Sequence, residues 1–600
     1  MISSHLNLIL SFSNVQFSVL FSVIISLSIS ITANAQPQVI KGKVVDRDSK
    51  ASLPFATLVS KRNGGGTIAN KEGVFRLPVE VNDTVEVRYT GYEPFSYYLN
   101  KSSQNNVTFE LEFSKTQLTE VNVVAADERA FNLIAKVRKQ LLKSRYQRSK
   151  AFLEIFTEKD SIPTELLELY YNSNFRKGNV ESLEYKSGRL AMAPVDGSFF
   201  KSYSTSRVIQ SHNPLTSAGF PENVFTTKKQ NLKKVYDLRI VSYGSGGETL
   251  IFDAKEDYEH SHFSGSISIN EKEELSEVEF FVRMPSQIPF IPLFENDLLK
   301  PLELHITWFY TTNEKGVAPQ LIDFGYANIS GVPTGPDYAP PYLERHIKAA
   351  GTAYFYDFDD PFFTPQMVCE NDLNDYQRML NTPCHEAIWE LTRPFEKSSK
   401  FQRNKQFLEK NGAMKTYAEH EFFKDYSGLE SMVGHRNVFW SDTARMRLNL
   451  IYHQPNELGF ETSVPRRKKF KLDVEMYFDL IEVDSTVSVY SQCLFDVYDS
   501  YYGLEHDSLT DLFLNLHFDL CEVERRRFET SLANMDQITP KTALRLYEES
   551  NSRLHAKFEK YFRETDSGTS LRALERYSHE LNQVTGVDNL ELFLPVMEGL

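Results

Sequence analysis

The side chains that could do chemistry are few, and they are scattered along 600 residues. His517, Cys521 and Glu524 fall at i, i+4 and i+7 of a helical stretch, so an imidazole, a thiol and a carboxylate would share one face as candidate metal ligands. Leu516, Leu520 and Val523 flank them, and the expected reading is a partly buried helix seam. His385-Glu386-Ala387-Ile388-Trp389 starts like a zinc-protease helix but has Trp389 where the second histidine must stand, so two nitrogens cannot converge on zinc. Cys384 beside His385 offers a thiol that an imidazole could activate, although a disulfide or buried thiol is the expectation. His260-Ser261-His262 would put two imidazoles on one strand face without a carboxylate partner. Asp357, Asp359 and Asp360 supply oxygens that calcium prefers, but they lack the glycine and distal glutamate of the known loop and read as a solvated turn. Asn63-Gly64-Gly65-Gly66 leads into another turn rather than a helix start, so a hairpin is expected there and not a phosphate cradle. No Gly-x-Ser-x-Gly elbow occurs. Catalytic residues and cofactors are therefore expected to be none.

The chain around these residues has an ordinary globular composition, with 41% hydrophobic and 24% charged residues. Its length exceeds one core and indicates several domains. A formal charge of −15 excludes the basic footprint of a nucleic-acid binder. The one dense basic run, Arg466-Arg467-Lys468-Lys469, is expected as a solvated turn. Between Phe17 and Ile31 the chain is almost wholly apolar, and Ala33-Asn34-Ala35 follows with the small-x-small pattern of a signal-peptidase site. Residues 1–35 are thus expected to be a signal peptide; the absence of Lys and Arg before the apolar run keeps an uncleaved anchor open. Export makes Cys369 with Cys384, and Cys493 with Cys521, candidate disulfides, although four cysteines permit three connectivities. Four buried thiols are the alternative.

From Gln38 to Leu99 short apolar runs alternate in period two and are separated by Gly, Asn, Asp and Pro, the pattern of antiparallel strands in a small β-sandwich. Leu53-Pro54-Phe55-Ala56 is expected to open the second strand. Gly42-x-Val44-Val45-Asp46, Leu53-Pro54-x-Ala56-x-x-Val59, Gly66-Thr67, Glu72-Gly73-x-Phe75-x-Leu77 and Tyr89-x-Gly91-Tyr92 together resemble the carboxypeptidase regulatory-like domain. The resemblance implies a prealbumin-type sandwich, common in exported proteins of Bacteroidota and at the front of TonB-dependent transporters. It implies an accessory module beside other domains, and it carries no catalytic residue across. Leu118-Thr119-Glu120-Val121-Asn122-Val123-Val124 is similar to the segment that follows this module in those transporters, but no barrel-like series of strands comes after it.

The expected architecture is multidomain and β-rich with α: a sandwich over 38–113, a linker and helix over 114–149, an antiparallel β domain over 150–330, a mixed α/β region over 331–505, and a helical bundle over 506–600. Asp127 is read as an N-cap, Ser508-Leu509-Thr510-Asp511 as a capping box, and Thr539-Pro540 as a helix start. The expected function is an exported, non-enzymatic envelope protein, periplasmic or associated with the outer membrane, with a structural or binding role. Accessory partnership with a TonB-dependent uptake system and an unrecognised hydrolase are the alternatives. Its expected partners are an envelope protein, a transporter or a glycan, with peripheral membrane attachment and no nucleic acid; the sequence leaves the oligomeric state unassigned.

Overall fold

The computed structural model describes residues 38–594 apart from 63–64, 81, 101–104, 115, 118–122, 194–205, 245, 289–297, 337–340, 366–374, 392, 416–435, 444, 452–464, 484–485, 505 and 508. The signal-peptide expectation, the segment after the sandwich up to Asn122, Cys369 and Ser508 lie outside the described residues. The chain divides into two compact units, residues 1–115 with Arg393–Ser398, and the remainder.

In the first unit β1 (Gln38–Asp46), β4 (Val74–Val79) and β7 (Asn106–Leu111) form one sheet. The second sheet contains β2 (Thr57–Ser60), β3 (Gly66–Ile68), β5 (Thr84–Arg88) and β6 (Phe95–Tyr98). Alternate residues of each strand, among them Ile40, Val44, Leu58, Phe75, Leu77, Val85, Val87 and Phe109, meet between the sheets. This is the sandwich that the alternation predicts. Two details differ. β1 pairs with β7 in parallel, and the approach at Gly42 is so close that a Cβ there would stand 1.7 Å from the Val107 carbonyl oxygen. Leu53–Ala56 is a turn rather than a strand start, because Pro54 lacks a donor and Phe55 takes φ +60°, which no strand accommodates. Arg393–Ser398 belongs to this unit: Asn70 Nδ2 donates to the Lys397 carbonyl at 2.9 Å, and Lys41 pairs with Glu396 at 3.2 Å.

The second unit is built on a 12-stranded sheet in the order β19-β11-β10-β9-β18-β17-β16-β15-β14-β13-β12-β8. Its strands are β8 (Thr116–Gln117), β9 (Gln147–Lys159), β10 (Ile162–Arg176), β11 (Asn179–Met192), β12 (Tyr236–Tyr243), β13 (Glu248–Ala254), β14 (Ser264–Ile269), β15 (Leu275–Arg283), β16 (Leu298–Asn313), β17 (Gly316–Pro333), β18 (Tyr342–Tyr356) and β19 (Ala413–Lys415). Neighbours pair antiparallel, as the meander reading requires. The boundary expected at 330 is absent, since β18 lies beyond it and joins the two halves by pairing with both β17 and β9. Helix α1 (Val123–Lys143) starts before the expected cap at Asp127, whose side chain lies outside the described ones. It lays Ala130, Leu133, Ile134, Val137 and Leu141 into a core shared with Leu153, Leu167, Leu169, Trp308 and Phe324 of the sheet. On the opposite face Phe156 and Leu166 pack with Phe401 and Leu408 of the helix Ser399–Asn411. With both faces covered, Thr164 to Asn174 is buried without interruption.

Further along, β20 (Asn437–Phe439) pairs with the long hairpin of β21 (Phe470–Val483) and β22 (Thr486–Tyr502). Helices α2 (Thr510–Ala533), α3 (Pro540–Glu564) and α4 (Leu571–Thr585) share one core with that hairpin, so 506 marks a change of element and not of core. Helix α3 starts as the sequence predicts, with Thr539 and Thr542 forming a reciprocal cap. At α2 Asp507 accepts from the Leu509 N–H at 2.9 Å and from the Thr510 hydroxyl at 3.0 Å. Helix α2 is buried on all sides from Leu512 to Glu522, because the hairpin covers one face and α3 and α4 cover others.

Candidate functional site

The outer face of β11 and one face of the β21–β22 hairpin enclose polar side chains that the sequence reading did not single out. Lys186 of β11 places its ammonium against Asp479 Oδ1 of β21, with each side chain only 1% exposed. The same ammonium donates to the carbonyls of Phe363 at 3.0 Å and Leu480 at 3.1 Å. Burial pulls it below the usual lysine range, and Asp479 opposes that pull. Asp479 Oδ1 also accepts the Leu480 N–H at 2.8 Å, which fixes the carboxylate plane. Its second oxygen, Oδ2, lies 3.4 Å from His385 Nδ1 without hydrogen-bond geometry, and neither atom has a hydrogen-bond partner among the described residues. His385 Nε2 lies 2.9 Å from the Ser488 hydroxyl, and in the tautomer with the ring proton on Nδ1 it accepts that bond. The Tyr490 ring stacks on the imidazole at 5.7 Å between centroids. Asp479 pairs across the hairpin with Tyr490, and Ile481 with Ser488, so all four share one face. Of the hydroxyl, imidazole and carboxylate, only Ser488 is partly exposed.

Sequence reasoning missed this cluster for a simple reason. Lys186, Asp479 and Ser488 each stand alone in a strand, without a neighbouring motif. His385 was noticed for its place in the aborted zinc pattern, whereas in the structure it precedes a short 3₁₀ turn, Glu386–Glu390, and Trp389 stacks on Arg189 at 4.1 Å. The only further signal was a charged residue at a buried strand register, which periodicity does not flag.

The other candidates go to separate partners. On α2, His517 packs against Phe558 at 4.0 Å and Phe562 at 4.8 Å between ring centroids. Cys521 meets Cys493 of β22 in the buried core, and Glu524 accepts from Arg553 at 2.8 Å and Lys557 at 2.7 Å. The three expected ligands therefore share a helix without converging. Cys384, Cys493 and Cys521 are buried free thiols. Burial pushes the Cys384 thiol up to about 11, so it is no thiolate nucleophile beside His385. His260 sits on a turn and His262 in an isolated bridge with Glu222, not side by side on a strand: His260 Nδ1 lies 3.0 Å from the Arg283 carbonyl and His262 Nδ1 lies 2.9 Å from the Ser261 hydroxyl. Lys150 reaches Asp357 and Asp360 at 3.0 Å each, and Lys315 reaches Asp359 at 2.5 Å. Arg467 covers the Phe562 ring at 4.3 Å and pairs with Glu559 at 3.1 Å, in keeping with a surface turn.

The two facing sheets of the first unit, with a parallel edge pair, define a β-sandwich. Residues 40–123 match the CarboxypepD_reg-like domain, and this segment is such a domain. Among curated proteins none matches the chain. Among solved structures, a LolA superfamily protein from Nitrosomonas europaea aligns at 11% identity over 38% of this chain and 92% of its own, with a TM-score of 0.17. A DUF1329 family protein from Desulfovibrio piger aligns at 7% identity over 39% and 92%, with a TM-score of 0.18. A protein of unknown function from Bacteroides fragilis aligns at 7% identity over 53% and 97%, with a TM-score of 0.11. Superpositions this poor carry no argument about this chain.

Proposed function

We propose that the protein is an exported cell-envelope protein in which the sandwich serves as an accessory module with a structural or binding role. The observation that supports this reading is the CarboxypepD_reg-like domain standing directly after an apolar segment that ends in Ala33-Asn34-Ala35. No helix among the described residues is long and apolar enough to cross a membrane, which fits peripheral attachment. Fractionation of cells producing the full chain tests the reading. The mature protein is expected in the envelope fraction, beginning at Gln36, and in part retained there after osmotic shock. Recovery in the cytoplasm with an intact first residue overturns export; complete release by osmotic shock overturns attachment. A second reading, accessory to a TonB-dependent uptake system, draws on the likeness of Leu118–Val124 to the segment after this module in such transporters. Crosslinking in the envelope to a barrel-bearing transporter supports it, and crosslinks to glycan alone count against it.

A further inference from the structure

We propose that Ser488, His385 and Asp479 form a nucleophilic acyl-transfer site that hydrolyses uncharged carboxylic esters. This goes beyond the accessory role of the sandwich, concerns the second unit alone, and departs from the sequence-based expectation of a non-enzymatic chain.

The argument rests on how the three side chains are held. A serine hydroxyl is a weak nucleophile unless a base takes its proton, and the base must keep its other nitrogen protonated to do so. Ser488 Oγ lies 2.9 Å from His385 Nε2, and His385 Nδ1 lies 3.4 Å from Asp479 Oδ2. The carboxylate cannot rotate away, because its other oxygen is held by the Lys186 ammonium and the Leu480 N–H. Its free oxygen and Nδ1 are two buried polar atoms without a hydrogen-bond partner, 3.4 Å apart, a separation that closes to a hydrogen bond as catalytic contacts tighten on substrate binding. The imidazole is held in plane by the Tyr490 ring. The hydroxyl, the imidazole and the carboxylate thus stand in the order that base activation of a serine needs. Ser488 is the partly exposed member, as a nucleophile that meets substrate must be. Tyr490, its partly exposed neighbour on the same sheet face, presents an aromatic flank that suits an uncharged acyl group.

The chemistry balances with water alone. Ser488 Oγ attacks the ester carbonyl carbon as its proton passes to His385 Nε2. The bond from carbon to the alcohol oxygen breaks, and the alcohol leaves with that proton. Water then attacks the acyl-Ser488 ester, His385 takes one water proton, and Ser488 leaves as its oxygen is reprotonated. One ester and one water give one acid and one alcohol. Asp479 and Lys186 are positioning residues that act through His385.

A fluorophosphonate probe, which reacts with base-activated serines, tests the assignment on the full-length chain, with p-nitrophenyl butyrate hydrolysis as a second readout. The expected result is a single phosphonyl adduct on Ser488 by peptide mass spectrometry, lost in Ser488→Ala and slowed about 100-fold or more in His385→Gln. Butyrate hydrolysis should fall with Ser488→Ala in protein whose circular dichroism shows it folded. In Asp479→Asn the pH profile of labelling should move, whereas a purely structural role would lower the amount of folded protein and leave the profile in place. A folded wild-type chain that carries no adduct at Ser488 under conditions that label trypsin overturns the proposal. So does an adduct that forms at the wild-type rate in folded His385→Gln.

Discussion

Lys186 and Asp479 lie 293 residues apart and meet as an ion pair with each side chain 1% exposed. Neither charge is screened by water, so each is stable only with the other present. The pair also ties β11 of the large sheet to the β21 strand that carries the helices. Lys186→Met should destabilise the second unit by about 3–5 kcal/mol, because it leaves a buried carboxylate without its cation. The double variant Lys186→Met, Asp479→Leu should recover much of that loss. Urea titration of the two variants checks this, and a double variant as weak as the single one would show that the pair does not govern the interface.

Acid should weaken the fold through two histidines. His212 is buried among Phe220, Phe263, Phe280 and Trp308, and the indole N–H donates to its Nδ1 at 3.1 Å. His517 is buried against Phe558, Tyr561 and Phe562. Burial pushes both imidazoles from an ordinary value of 6.5 down to about 3. Between those values the unfolded chain binds protons that the folded chain refuses, so stability falls as pH drops below the unfolded value. Each histidine contributes a loss of about 1.4 kcal/mol per pH unit there. Denaturation curves at pH 7 and pH 5 should show the loss, and His517→Phe should remove its share of the slope. An unchanged slope in that variant would exclude the residue as the cause.

The sandwich should be intolerant of any side chain at Gly42. An alanine there would place its Cβ 1.7 Å from the Val107 carbonyl oxygen, inside the parallel pairing of β1 with β7. The strands would have to part, at a cost of about 1–3 kcal/mol or more. A lowered melting transition of the first unit in Gly42→Ala, with the second unit's transition unmoved, is the expected calorimetric result. Gly247→Ala, whose Cβ would stand 3.0 Å from its nearest neighbour, should be milder.

The thiols make a separate prediction. Cys384, Cys493 and Cys521 are buried, and burial raises the Cys493 thiol well above its ordinary range, so none should react with a thiol reagent in the native state. Cys493 and Cys521 adjoin each other as free thiols in the core between β22 and α2, in place of the disulfide expected between them. Alkylation followed by peptide mass spectrometry should leave all three unmodified in the native protein and modify all three in denaturant. Labelling of Cys493 or Cys521 in the native protein would show that this core is open to solvent.

The sequence by itself determined the local elements. Alternation and turn residues placed the sandwich strands, and Gly42, Phe75 and Leu77 carry there the roles that the motif implies: close strand approach and inward packing. Thr539-Pro540 marked a helix start that the structure bears out, since a cap acts within one turn. Tertiary structure alone decided the rest. β18 inserts beside β9 by pairing Ile347 with Lys159 and Tyr356 with Lys150, a register set by strands almost 200 residues away. On helix α2 the polar residues His517, Asp519 and Glu524 are all buried: Asp519 meets Arg445 at 2.7 Å and Asn589 at 2.6 Å, Glu524 meets Arg553 and Lys557, and His517 lies among aromatic rings. The Ser488–His385–Asp479 arrangement brings a hydroxyl to an imidazole 103 residues distant. Periodicity reports which face of its own element a residue occupies; which other element covers that face depends on the packing of the whole core, and that is where the candidate site arose.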